Sequence, residues 1–230
     1  MFNGYAGHIL GGLATTLEIA ILSLVIASLI GLLCALMALS DKPLLRALTR
    51  IYASVIRGIP DLLLMLMLFF GGQIALNNLL EWLQVETVVE LNQFTAGVIT
   101  LGFIYGAYFM ETFRGALLAV PRGQVEAARA YGMSEFKVNT RILLPQMVRF
   151  ALPGFTNNWL VLAKTTALVS VIGLQDVMYR AKEAGAGARE PFTWLLFAGA
   201  LYLAITSVSL FLLRRVERKY SVGVRLGSHV

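Results

Sequence analysis

Five long stretches of the chain are apolar and almost free of charge, and shorter polar segments separate them. Residues 19–40, 62–80 and 91–110 contain no Asp, Glu, Lys or Arg at all. The fourth stretch starts at Phe150, is interrupted by Lys164 and resumes over 165–175, and the fifth covers 192–213. A helix crossing a bilayer needs about 20 largely apolar residues. The pattern therefore predicts spans over about 12–40, 58–80, 91–113, 150–175 and 191–213. All five are rich in Leu, Ile, Val, Ala and Phe with scattered Gly, as expected where helices pack closely in lipid. The expected fold is all-α, a polytopic bundle of five transmembrane helices. One domain covers 1–230, with no low-complexity linker and no internal repeat.

Composition agrees with lipid as the solvent. Of 230 residues, 58% are hydrophobic and 14% charged, against roughly 25% charged in soluble domains, and the mean hydropathy is +0.75. The net charge of +6 does not point to nucleic acid, because the basic residues are not gathered into one patch. Lys42, Arg46, Arg50 and Arg57 fall in the first loop. Arg114, Arg122, Arg129, Lys137, Arg141 and Arg149 fall in the third, and Arg214, Arg215, Arg218, Lys219 and Arg225 in the tail. The second loop carries Glu81, Glu86 and Glu90 without a basic residue, and the fourth is balanced. Basic loops stay in the cytoplasm, so the N-terminus is expected outside and the C-terminus inside. Residues 1–12 contain no Lys or Arg, so no cleavable signal peptide is expected. Cys34 has no partner for an internal disulfide and reads as a small buried hydrophobe. Residues 183–190 (EAGAGARE) read as a flexible outer loop.

The third loop is too patterned to be a connector. From Pro121 it runs PRGQVEAARAYGMSEFKVNTRILLPQM, bracketed by Pro121 and Pro145. Residues 124–131 and 134–144 read as two short helices broken at Gly132, which can take positive φ, with Ser134 able to cap the second. Ala127, Ala128 and Ala130 leave a low-relief surface suited to a groove on a partner. The segment resembles the E-A-A-x3-G-x9-I-x-L-P signature of type I ABC importer permeases at every defined position: Glu126, Ala127, Ala128, Gly132, Ile142, Leu144 and Pro145. Four further segments are similar to permeases of polar amino-acid uptake systems, most closely those for histidine and for lysine, arginine and ornithine. They are IRGIPDLLLML (56–66), GFIYGAYFMETFRGALLAVP (102–121), KTTALVSVIGLQDV (164–177) and ERKYSVGV (217–224).

That resemblance implies that residues 121–145 are a coupling loop seated in a cytoplasmic ATPase, in a bacterial inner membrane. It implies two ATP-binding subunits, a second permease subunit (a related chain or a second copy) and a periplasmic substrate-binding protein. Membrane lipid is expected as a partner and nucleic acid is not. No G-x4-G-K-[S/T] phosphate loop occurs, so no cofactor is expected on this chain, and ATP and Mg belong to the partner. No metal-ligand cluster is visible either, since His8 and His229 lie at opposite ends. No nucleophile–base constellation suggests an enzyme. A self-contained channel or an ion-coupled carrier is the competing reading, and it would need no docking loop.

Charges inside spans need a reason. Asp61 follows Pro60, which is ordinary helix-start chemistry, with Arg57 four residues back. Glu111 has Arg114 one turn on, which suggests a structural pair. Glu18 and Lys164 lack such neighbours. Either they pair with each other across the bundle, or Glu18 faces a translocation cavity and receives the cationic end of a substrate. Tyr105 and Tyr108 share a helical face and either flank such a site or pack as aromatics. The candidate substrate contacts are therefore Glu18, Asp61, Tyr105, Tyr108 and Lys164.

Overall fold

The computed structural model describes residues 2–85 and 87–220, and every regular element among them is helical. Glu86, Arg225, His229 and the end of the ERKYSVGV segment lie outside the described residues. Helix α1 (Phe2–Leu10) leads through Gly11 and Gly12 into α2 (Leu13–Ala38). Next come α3 (Pro43–Gly58), α4 (Asp61–Leu66) and α5 (Gly72–Trp82), with a π-turn, Met67–Gly71, between the last two. After α6 (Gln93–Ala119), the third loop contributes α7 (Arg122–Ala130) and α8 (Glu135–Val138). A second π-turn, Asn139–Leu143, joins α8 to α9 (Leu144–Thr165), and a 3-10 segment, Thr166–Ile172, tightens its far end. The chain closes with α10 (Val177–Ala188) and α11 (Pro191–Tyr220).

Four helical runs among the described residues are long and apolar enough to cross a membrane: Gly4–Ala38, Asp61–Trp82, Gln93–Ala119 and Pro191–Tyr220. A fifth crossing arises if the bent pair Glu135–Ile172 and Val177–Ala188, kinked by 54°, is one broken span. The fourth expected span is thus not a straight helix over 150–175. It runs from the third loop to Ile172, turns at Gly173 with φ +89, and continues as α10.

Helix α6 is the core of the bundle. It packs along α2 at a distance that only glycine permits: a Cβ on Gly31 would lie 2.6 Å from Phe109 Cβ, and one on Gly102 2.5 Å from Ile26 Cγ2. Small residues let backbones approach where lipid supplies no hydrophobic drive between helices. Ile19, Leu101, Ile104 and Phe109 are wholly buried in this seam, and Cys34 is half-buried beside it.

Two expected loops are helices. Residues 183–190 do not form a flexible loop, because Val177–Ala188 is helical and ends at Arg189 with φ +57. Its glycines serve close packing, since a Cβ on Gly185 would lie 2.8 Å from Pro191 Cα and one on Gly187 3.1 Å from the Tyr5 hydroxyl. The buried Asp176 carboxylate caps this helix by accepting from Tyr179 N at 2.7 Å, and it also accepts from the Tyr202 hydroxyl at 3.2 Å. The basic first loop is likewise largely the helix α3. Thr49, Ala53 and Ile56 face the core, while Leu44, Leu48, Ile51 and Val55 form an exposed apolar stripe.

Candidate functional site

The third loop is an elbow fixed by its own hydrogen bonds. Helix α7 ends as Gly132 takes φ +76, with Gly132 N–H donating to Arg129 O at 2.9 Å and Met133 N–H to Ala128 O at 3.1 Å. This pair of bonds closes a helix C-terminus through a left-handed residue, for which glycine has no steric penalty. Across the elbow the Arg129 guanidinium donates to both Glu135 oxygens, at 2.7 and 3.0 Å, and so ties α7 to α8. The same arginine holds the Glu135 carboxyl below its ordinary range. Ala128 and Val138 are buried and anchor the two arms, whereas Glu126, Ala127 and Gly132 are exposed. Ile142 is half-buried, and Leu144 and Pro145 are exposed.

Two details differ from the sequence expectation. Ser134 occupies the N-cap position of α8 but makes no side-chain cap bond. The second arm is also not a separate helix ending before Pro145, because Glu135–Ile172 is one continuous helical run. Proline cannot donate to the carbonyl four residues back, and the π-turn at Asn139–Leu143, just before Pro145, lets the helix pass that gap without breaking. Sequence reasoning also overlooked two aromatic side chains at the elbow, Tyr131 and Phe136, which are 91% and 77% exposed. Large aromatics left so bare on a basic loop are a surface feature that the motif alone does not carry.

A second set of polar groups meets inside the bundle. Asp61, at the head of α4, accepts a 3.4 Å hydrogen bond from the Tyr105 hydroxyl of α6, and that hydroxyl also bonds the Thr165 hydroxyl at the end of α9. Tyr105 is buried and stacks on Tyr108, with centroids 5.4 Å apart. The Arg57 guanidinium lies 5.7 Å from the Tyr108 ring centre. Arg57 thus meets the tyrosine face, and Tyr105 is the group bonded to Asp61. Three of the five expected contacts, Asp61, Tyr105 and Tyr108, are gathered here, joined by Arg57 and Thr165. Neither Glu18 nor Lys164 is in an ion pair among the described residues, and both are exposed, so the first of the two alternatives, their mutual pairing, is not formed. Each belongs to a helix surface that the rest of the chain leaves open. Glu111 and Arg114 do pair, at 2.8 Å.

Below this cluster α3 and α6 border a cavity of about 660 Å³, lined by Arg46, Arg50 and Arg57 of α3 and by Glu111 and Arg114 of α6. Among the described residues no group of His, Cys, Asp and Glu side chains is arranged to hold a metal.

Residues 27–222 match the family of binding-protein-dependent transport system inner membrane components. The chain belongs to that family. It is 49% identical to HisQ of Escherichia coli, a permease protein of the histidine/lysine/arginine/ornithine transport system, over 98% of both chains. It is 37% identical to OccQ of Rhizobium radiobacter, a permease protein of the octopine transport system, over 98% of this chain and 95% of that one. Among solved structures, an amino acid ABC transporter crystallised with histidines superposes with a TM-score of 0.79 at 31% identity, covering 95% of this chain and 96% of that chain. An inward-facing MetNI methionine ABC transporter shares the fold, with a TM-score of 0.74 at 19% identity over 93% of this chain and 96% of that chain. The chain is therefore an ABC-transporter permease subunit, a transport component built of membrane-crossing helices.

Proposed function

We propose that the chain is the membrane-spanning subunit of an importer that carries basic amino acids (histidine, lysine, arginine, ornithine) from periplasm to cytoplasm across a bacterial inner membrane. The whole chain, 1–230, acts as one permease domain with its N-terminus outside and its C-terminus inside. Two ATP-binding subunits sit below it, a second permease subunit (a related chain or another copy) stands beside it, and a periplasmic binding protein delivers substrate from above. ATP and Mg act on the partner ATPases. The observation that carries this reading is the elbow at 122–138, where a glycine-locked turn and a bidentate ion pair present Tyr131 and Phe136 between two buried anchors. Such a rigid, protruding elbow is what a helix-in-groove contact requires. Glu126, Ala127, Ala128, Gly132, Ile142, Leu144 and Pro145 form the coupling segment. Closure of the ATPases moves it, and the permease pair then alternates between outward and inward openings.

The carboxylate of Asp61, held by Tyr105 on which Tyr108 stacks, is the intramembrane contact for a cationic group, and Glu18 and Lys164, on open helix surfaces, are the further candidate substrate contacts. Uptake of labelled arginine into proteoliposomes tests the reading. With binding protein and ATPases present, ATP should drive accumulation, and without the ATPases accumulation should vanish. Uptake that persists without them would instead establish a self-contained channel or carrier. Cysteine probes at Glu90 should label from outside and those at Arg215 only after permeabilisation, and the reverse pattern would overturn the orientation.

A further inference from the structure

Coupling and cation recognition leave the cavity between α3 and α6 without a task. Helix α3 has three distinct sides. Leu44, Leu48, Ile51 and Val55 recur at helical spacing and are exposed, while Thr49, Ala53 and Ile56 are buried. Arg46, Arg50 and Arg57 recur at the same spacing and line the cavity. At 3.6 residues per turn the arginine stripe lies nearly opposite the leucine stripe. The guanidinium groups therefore turn away from the face suited to lipid and toward a polar groove. Arg114, across the groove, is matched by Glu111. Arg46, Arg50 and Arg57 have no carboxylate partner among the described residues. Three unmatched guanidinium groups along one wall favour an anion, and planar forks suit a carboxylate.

The inner end of this wall meets the polar cluster. Arg57 faces the Tyr108 ring, Tyr108 stacks on Tyr105, and Tyr105 holds Asp61. The groove thus offers an anion-receptive wall leading up to a cation-receptive carboxylate. We propose that Arg57 takes the α-carboxylate of the transported amino acid while Asp61 takes a cationic group, and that Arg50, about two helical turns further along the wall, receives the carboxylate as it leaves. A basic amino acid carries both charges and leaves along the groove carboxylate first. Its decarboxylated amine meets only like charge on the arginine wall. The inference rests on the import reading above.

Equilibrium binding to the assembled complex of permease pair and ATPases, in nanodiscs without binding protein, tests it with arginine and agmatine as probes. The wild-type complex should bind arginine about tenfold more tightly than agmatine, as one charge-assisted pair permits. Arg57→Gln should bring arginine down to the level of agmatine and leave agmatine unweakened, with Arg57→Lys recovering part of the difference. Asp61→Asn should weaken both probes. Co-elution with the ATPases reports assembly of each variant, and if Arg57→Gln does not assemble, Arg50→Gln supplies the same comparison with a smaller change. Arginine binding unchanged in the arginine variants, or a parallel loss for both probes, would overturn the proposal. So would a wild-type complex that imports arginine under ATP yet binds neither probe. A wild-type complex with every partner present and no ATP-driven uptake would refute the import reading instead.

Discussion

The elbow at Gly132 and the cluster around Asp61 are built in opposite ways. Every bond that shapes the elbow links residues no more than six apart: Gly132 to Arg129, Met133 to Ala128, Arg129 to Glu135. The cluster joins Asp61 to Tyr105 and Tyr105 to Thr165, contacts 44 and 60 residues apart in the chain. The first is a shape that the local sequence dictates wherever the loop lies. The second exists only while α4, α6 and α9 hold their places, so it responds to rearrangement of the bundle. A segment that transmits force benefits from the first construction, and a site that must open and close benefits from the second.

Gly132→Val should produce the largest effect. No atom lies within 4 Å of where its Cβ would be, so the cost comes from positive φ alone, which a β-branched residue tolerates poorly. The chain should still insert, uptake should be lost, and ATP hydrolysis in nanodiscs should cease to respond to the loaded binding protein. Normal stimulation together with normal uptake would remove the elbow from the coupling path. Asp61→Asn comes next. It keeps the side-chain shape and removes the charge, so uptake of arginine should fall by about tenfold, the scale of one charge-assisted contact, while the complex still assembles. Tyr105→Phe should act in the same direction with a smaller loss, and a variant that fails to assemble would make this cluster structural. Glu18→Gln should lower uptake of cationic substrates less than Asp61→Asn, since Glu18 lies on an exposed face of α2, and it should leave assembly intact. The smallest effect belongs to Arg129→Ala. The pair is fully exposed, and added salt should narrow the difference in uptake between this variant and wild type.

The same contrast decides what was legible in the sequence. The elbow was readable because Gly132 and the E-A-A spacing are local signals, and the long apolar runs announced most of the spans. The assembly of Asp61 with Tyr105 and Thr165 was not readable, because no periodicity specifies which helix lies against which. Asp61 looked like a helix-start residue and Arg57 its natural neighbour, yet tertiary packing gave the carboxylate to a tyrosine and the guanidinium to a ring. Glu18 and Lys164 looked complementary because each lacked a local partner, a criterion blind to distance. Helix α3 was obscured for another reason. Its arginines mark a membrane-proximal loop so strongly that the apolar recurrence at Leu44, Leu48, Ile51 and Val55 drew no notice. Residues 183–190 failed in the converse sense, since their glycines, which read as slack, are there because Pro191 and Tyr5 press close.

The unbroken run Glu135–Ile172 has a mechanical meaning. At 1.5 Å per residue it extends about 57 Å, with Phe136 at one end and Thr165 near the other. A continuous rod of that length, though it carries a π-turn at Asn139–Leu143 and Pro153 inside it, turns a tilt of a few degrees at the elbow into a displacement of a few ångströms at its tip. The Thr165 hydroxyl rides on that tip and is bonded to the tyrosine that holds Asp61. A swing of the rod can therefore strip the carboxylate of its tether, with Tyr105 alone standing between the rod and Asp61.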